Sequence, residues 1–433
     1  MPIALRRLLW SKSLAGKAGV VAIGMFVVLF ATYTAALRMT ASRLADAMKL
    51  GTEFGFSNDV QELLGPKVAD EENAATPLDE SCALVKGFFN SVRQKVNVPA
   101  TTADTIDNPA YLAEIHVLKN DSAFERLLDE ADRRPAYRSP TVFSEPLTNT
   151  LLDHIQDRRY LCRAERAISN HLQLTKRHEE AGRRLLRLLR ITRKWEDKEP
   201  FVVSLLVNIA IRGFVMQDLN SVLRNSPGLT NELHDEIDRE LAKHEQLNRI
   251  LPFVGQWENI SFPSYLDGLS SNQILFIKPL RNHRNAVLLE ETHTIMRLWD
   301  APYNESKAAI DAIETQELAI AQSPLGRLLQ LTAYNGFRVT HTAVFRTIAR
   351  ARCLRIVNAW SRRRDFNASF ESLKLPKEVW TDPFDGQPLR VKNTPDGPII
   401  YSVGEDLLDN NGEIDKAPGD QGYGPRLIKL VKP

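Results

Sequence analysis

Asp406, Asp409, Asn411, Glu413 and Asp415 crowd into a short stretch near the C-terminus of this sequence. Carboxylates and amide carbonyls are the hard oxygens that Ca²⁺ takes at roughly 2.3–2.6 Å, so these residue types suit a calcium loop. A solvated acidic turn would use the same residues without an ion. The spacing is not that of an EF-hand, because aligning Gly412 with the obligatory glycine puts Leu407 at the first ligand position.

Glu290 and His293 form a Glu-x-x-His pair on a predicted helix, with both side chains on one face as di-iron bundles require. Such a centre needs two copies, and Glu240 with His244 has a different spacing. A satisfied pair on a helix surface is therefore expected. No His-Glu-x-x-His, Gly-x-Ser-x-Gly or phosphate-cradling glycine loop is present, so no catalytic or cofactor-binding set is assigned.

The densest basic segment contains Lys176, Arg177, Arg183, Arg184, Arg187, Arg190, Arg193 and Lys194. It would suit an anionic polymer or lipid headgroups, but Leu185, Leu186, Leu188 and Leu189 interleave with it. An amphipathic helix with a solvated basic face is the simpler expectation. With Lys+Arg 56 against Asp+Glu 54, a net charge of +2 gives no reason to expect nucleic acid. Cys82, Cys162 and Cys353 are too few and scattered for a disulfide framework or a zinc site.

These side chains must be positioned by a chain that is 43% hydrophobic and 25% charged, the balance of a folded protein. Residues 18–37 carry no charge and are about long enough to cross a bilayer as a helix. Arg6, Arg7, Lys12 and Lys17 precede them, so the N-terminus is expected in the cytoplasm and the bulk outside. Thr34-Ala35-Ala36 leaves a cleaved signal peptide as the alternative.

The expected order is an anchor with its juxtamembrane helix (1–50), a linker (51–78), a helical domain (79–324), and a long helix with a small β-module (325–433). Within the helical domain, one helical run is expected from Pro146 to Lys198. Phe201 to Leu219 reads as a buried central helix rather than a second span, and Thr230 as the cap of the helix after it. The fold class is mainly α, with helical hairpins stacked as a bundle or solenoid. LRVKN and PIIYSV predict a β-hairpin around Thr394-Pro395-Asp396-Gly397.

Asp382-Pro383-Phe384, Leu389 and Tyr401-Ser402-Val403-Gly404-Glu405-Asp406 follow one another before the acidic loop. In order and character this ending resembles the C-terminal part of the major (G-type) pseudopilins of type II secretion systems, over roughly the last 85 residues. The resemblance implies a β-hairpin module and calcium in the acidic loop. That family's Gly-Phe-Thr-Leu-Ile-Glu processing motif is missing at the N-terminus. The whole layout also resembles a group of planctomycete-type membrane-anchored helical proteins with no assigned activity, through the anchor, the Lys198–Gly213 stretch, the Gly228-Leu229-Thr230 cap and the Tyr-Ser-Val-Gly ending.

The function expected is that of a non-enzymatic scaffold in a bacterial envelope. It would contact the bilayer through residues 18–37 and other envelope proteins through its periplasmic bulk. Two alternatives stand beside it: a component of a secretion or pilus-like machine, and a hydrolase with residues around His283, Glu290 and His293.

Overall fold

The computed structural model describes residues 14–53, 67–96, 115–138, 142, 144, 152–196, 201–226, 228–246, 274–298, 301–323, 336–414 and 419–425. The chain divides into two units, and the boundary falls within one helix, after Thr294.

In the first unit α1, Leu14–Glu53, runs unbroken through the charge-free segment. Gly51, expected to end it, is its buried continuation. From Val21 to Gly51 the mean hydropathy reaches 1.8 over a window with no buried residue, so α1 is apolar and long enough to cross a membrane. Near its end Leu44 and Ala47 pack with Ala286 and Leu289.

The second unit is a mainly helical body closed by a small sheet. Its helices in chain order are α2 (Ala75–Val96), α3 (Ser122–Arg133), α4 (Asp153–Leu174), α5 (His178–Glu196), α6 (Val202–Asn225) and α7 (Asn231–His244). The helix α8 (Ile274–Arg297) contains the unit boundary, and α9 (Tyr303–Gln322) and α10 (Gly336–Arg363) follow. Local signals explain the starts. Asp121 caps α3 by accepting from the Ala123 and Phe124 amides, and Phe124, Leu127, Leu128 and Ala131 then repeat at helical spacing on its buried face. Thr230 caps α7 through the Leu233 amide at 3.3 Å, as expected.

Three expectations change. The expected linker, 51–78, is not linker to its end, because α2 begins at Ala75 and Ala74, Ala75 and Leu78 are core residues; the apolar side chains outweigh the polar ones between them. Within the run 146–198 the described residues form two helices, α4 and α5, broken at Thr175–Arg177. There Lys176 takes a left-handed conformation (φ 60°) while the Arg177 amide donates to the Leu172 carbonyl at 2.8 Å. That is a Schellman C-cap with lysine where glycine is usual, so the sequence carries no mark of it. Finally, the main hydrophobic cluster runs from Ala74 to Tyr423, so the core does not respect a boundary at 324/325.

Buried residues cover most of the circumference of α6, Leu205, Val207, Ile211, Val215, Met216, Leu219 and Val222 among them, as befits a central helix. It passes the same length and hydropathy test as α1, yet 56% of its apolar window is buried in the protein. On α10 an apolar stripe lies in the core, with Ile356 and Val357 at 0% exposure and Trp360 at 1%. Cys82 on α2, Cys162 on α4 and Cys353 on α10 are free and buried. Burial pushes the Cys82 and Cys162 thiols up to about 12.

Two 3₁₀ turns, Phe370–Leu373 and Lys377–Trp380, lead to a sheet of order β1-β2-β3. Strands β1 (Arg390–Thr394) and β2 (Gly397–Ser402) form the expected hairpin, in register Arg390↔Tyr401 to Thr394↔Gly397. The unexpected β3 (Gln421–Tyr423) pairs antiparallel with β2 through Ile400↔Tyr423 and Ser402↔Gln421. Gly422 permits this, since a Cβ there would lie 2.0 Å from the Ile400 carbonyl oxygen.

Candidate functional site: the C-terminal loop and the buried charges

The turn before β1 is organised by one carboxylate. Asp382, at 0% exposure, accepts from the Phe384 amide (2.9 Å) and the Ser402 hydroxyl (2.7 Å) on Oδ1, and from the Val403 amide (3.0 Å) and Arg390 (2.8 Å) on Oδ2. Burial raises its pKa, opposed by those hydrogen bonds. Arg390 is also paired with Asp385. Of the residues that carry the pseudopilin resemblance, Phe384, Ser402 and Val403 meet on Asp382, which fastens the approach turn to the end of β2.

Beyond β2, Gly404 lies at φ 74°, where a Cβ would meet the Gly419 carbonyl oxygen at 2.6 Å. The two ends of the acidic loop come that close. Asp406 accepts from the Leu408 amide and the Asn410 side-chain amide, both at 3.1 Å. Asp409 accepts from the Tyr401 hydroxyl at 3.0 Å and the Asn411 amide at 2.8 Å. Burial and Asp409 together push the Tyr401 phenol up to about 12. The Asn411 carbonyl accepts from Lys392 Nζ at 2.8 Å, Glu413 is exposed, and Asp415 lies outside the described residues.

The residue at the centre is one the sequence reading left out. Asp420, at 0% exposure, accepts from the Asn410 amide at 3.2 Å and the Gly412 amide at 2.7 Å, and burial raises its pKa. Its only sequence signal is its place between Gly419 and the short β3. Among the described residues no three His, Cys, Asp or Glu side chains converge as a metal group. Asp406 and Asp409 already accept from N–H and O–H donors, and an ammonium occupies the Asn411 carbonyl. The described arrangement is a loop closed on Asp420.

Glu290 and His293 have different surroundings. In the first unit Glu290 receives both edges of Arg43 on α1, Nε at 2.8 Å and Nη2 at 2.5 Å, while Arg43 Nη1 lies 3.1 Å from His283 Nδ1. His293 is buried at 1% exposure, not on the surface as expected.

From Arg184 to Lys194 the basic segment is not a solvated face, whereas Lys176, Arg177 and Arg183 are exposed. Arg184 reaches Glu125 and Glu165, each at 2.5 Å, and Arg187 reaches Glu125 (3.1 Å), Asp129 (2.6 Å) and Glu165 (3.4 Å). Arg190 pairs with Asp132 at 2.5 Å and Arg193 with Glu240 at 2.8 Å. Lys194 donates to the carbonyls of Ala131, Asp132 and Arg134. Burial opposes the charge on Arg187, but Glu165, Glu125 and Asp129 outweigh it and raise its pKa. Burial likewise disfavours the Glu240 carboxylate, yet His244 and Arg193 hold its pKa well below the ordinary range.

No family model, curated protein or solved structure matches the chain. The charges of α5 serve to clamp α3, α4 and α7 around it. The carboxylates those arginines meet stand 19 to 62 residues away in sequence, which is why local patterning made the segment look basic.

Proposed function

We propose that this chain is a membrane-anchored scaffold of a bacterial envelope. In this reading α1 crosses the membrane with its N-terminus in the cytoplasm, and the helical body stands on the periplasmic side and holds other envelope proteins. The observation that supports it is the exposure of α1. Met25, Phe26, Leu29 and Phe30 are 57–69% exposed, so the protein itself leaves this apolar surface uncovered. Transfer of each such side chain from water to hydrocarbon is worth about 1.5–3 kcal/mol, and a bilayer supplies that transfer along the whole helix.

The orientation rests on Arg6, Arg7, Lys12 and Lys17. A reporter fused after Pro433 is expected to read extracytoplasmic, and the protein to stay in carbonate-washed membranes with its N-terminus intact. Release by carbonate, a new N-terminus near Ala36, or a cytoplasmic reporter signal would each overturn the corresponding part.

A second reading, a component of a secretion or pilus-like machine, is favoured by the convergence of Asp382, Phe384, Ser402 and Val403 in the pseudopilin-like module. Calcium belongs to this reading, and since each carboxylate oxygen carries two lone pairs, Asp406 and Asp409 can keep their present donors and still ligate the ion. Purification from membranes with partner identification tests the machine. Thermal unfolding in millimolar Ca²⁺ against chelator tests the ion, and identical melting removes it.

A further inference from the structure

A cleft of about 540 Å³ opens where the end of α6, the segment after α10 and the β1–β2 turn meet. At its wall Arg224 donates from Nε to Asn220 Oδ1 at 2.9 Å and from Nη2 to the Tyr423 carbonyl at 3.2 Å, and its guanidinium lies 5.5 Å from the centre of the Phe366 ring. Those partners are neutral, and none of them is a carboxylate. Arg184, Arg187 and Arg355, which are buried more deeply than the half-buried Arg224, each meet at least two acidic side chains. Burial without a countercharge depresses the Arg224 pKa to about 10. Its Nη1 makes no hydrogen bond among the described residues, so one face of a partly desolvated cation is still open to an acceptor.

The rest of the lining limits what that acceptor is. Arg364, Asp365 and Asp396 also line the cleft, so with Arg224 its formal charge is balanced, and a dianion such as phosphate would meet two carboxylates. A monoanion meets only the local excess at Arg224. The amides of Asn367 and Asn393 stand at the rim beside Phe366, Pro398 and Pro425, polar groups and apolar walls in the mixture that an amide-bearing ligand needs. The volume suits an acylated amino acid or the end of a short peptide.

We propose that this cleft binds a monocarboxylate of the acylated amino-acid or peptide class, with the carboxylate on Arg224 Nη1 and the amide portion between Asn367 and Asn393. It stands apart from the scaffold reading and does not depend on it. The test is titration calorimetry on the full chain in detergent, with N-acetylphenylalanine as probe and N-acetylphenylalaninamide and inorganic phosphate as comparisons. Saturable binding of the acid is expected, with the amide and phosphate at least about tenfold weaker, the scale of one charge-assisted hydrogen bond.

Arg224→Gln is expected to weaken the acid about tenfold or more. Because Arg224 also holds Asn220 and Tyr423, a second variant is needed whose side chain is exposed, and Asn393→Asp places a repelling carboxylate at the rim without disturbing the core. It too is expected to weaken the acid severalfold, while hydrogen exchange of β1 and β2 stays as in the parent. Equal binding of acid and amide, tighter binding of phosphate, no saturation by the acid, or an Asn393→Asp variant that binds normally would each overturn the proposal.

Discussion

Glu165→Gln tests whether the charges of α5 are structural. Glu165 is 2% exposed and sits opposite Arg184 Nη2 at 2.5 Å and Arg187 Nη2 at 3.4 Å. Removing one member of a buried ion pair costs about 3–5 kcal/mol, because the remaining charge is left desolvated. Here Glu125 keeps both guanidiniums partnered, at 2.5 and 3.1 Å, so the cost falls at or below the bottom of that range, about 2–3 kcal/mol. Glu125→Gln, at a side chain 30% exposed, should cost about 1 kcal/mol. The double variant should cost more than the sum, since Arg184 then loses both of its acidic partners and Arg187 retains only Asp129. Hydrogen exchange of α4 and α5 in the full chain reads this directly, with protection falling roughly 30- to 150-fold in Glu165→Gln. Protection within about threefold of the parent, or strict additivity of the two changes, would refute the argument.

Other consequences are equally accessible. His341 is buried against Ser306, 2.9 Å from its hydroxyl, and burial lowers its pKa from 6.5 to about 4. Its contribution to stability is complete above pH 6.5 and is lost as pH falls toward 4, up to about 3 kcal/mol, so melting across that window should be steeper in the parent than in His341→Gln. Asp420→Asn should loosen the 404–414 loop by about 2–3 kcal/mol, read as faster exchange at Asn410 and Gly412, whereas Asp406→Ala and Asp409→Ala should each cost about 1 kcal/mol or less; the reverse order would show that Asp420 is not its organiser. The Arg43–Glu290 pair is 41% exposed on both sides, so Arg43→Ala should slow or speed exchange of 283–294 by no more than about fivefold, and a larger change would mean that the contact is not a surface ion pair.

What the sequence disclosed follows the range of the interaction. The α1 segment, the central α6, the Thr230 cap and the β1–β2 hairpin are written in composition, periodicity or turn residues a few positions apart, and all were legible. The break at Lys176 was not, because a lysine has replaced the glycine that normally marks such a cap. Strand β3 was hidden by its length of three residues and by a partner reached only after the acidic loop. The loop carboxylates were found, yet their organiser, Asp420, was not, since its role arises from backbone amides that carry no sequence signature. Arg187 was seen as one of many cations, because Glu125 and Glu165 declare themselves as its partners only once α3, α4 and α5 are packed.

The three buried thiols give this protein its own stopwatch. Cys82, Cys162 and Cys353 are each held below the surface on a different helix, and desolvation keeps them as unreactive neutral thiols. An alkylating reagent therefore registers each one only while its helix is open, and the labelling rates report how often α2, α4 and α10 part from their neighbours. Equal rates at all three would mean that the body opens as one cooperative piece. A faster Cys82 would date the departure of α2 ahead of the rest, in the native chain and with no engineered probe.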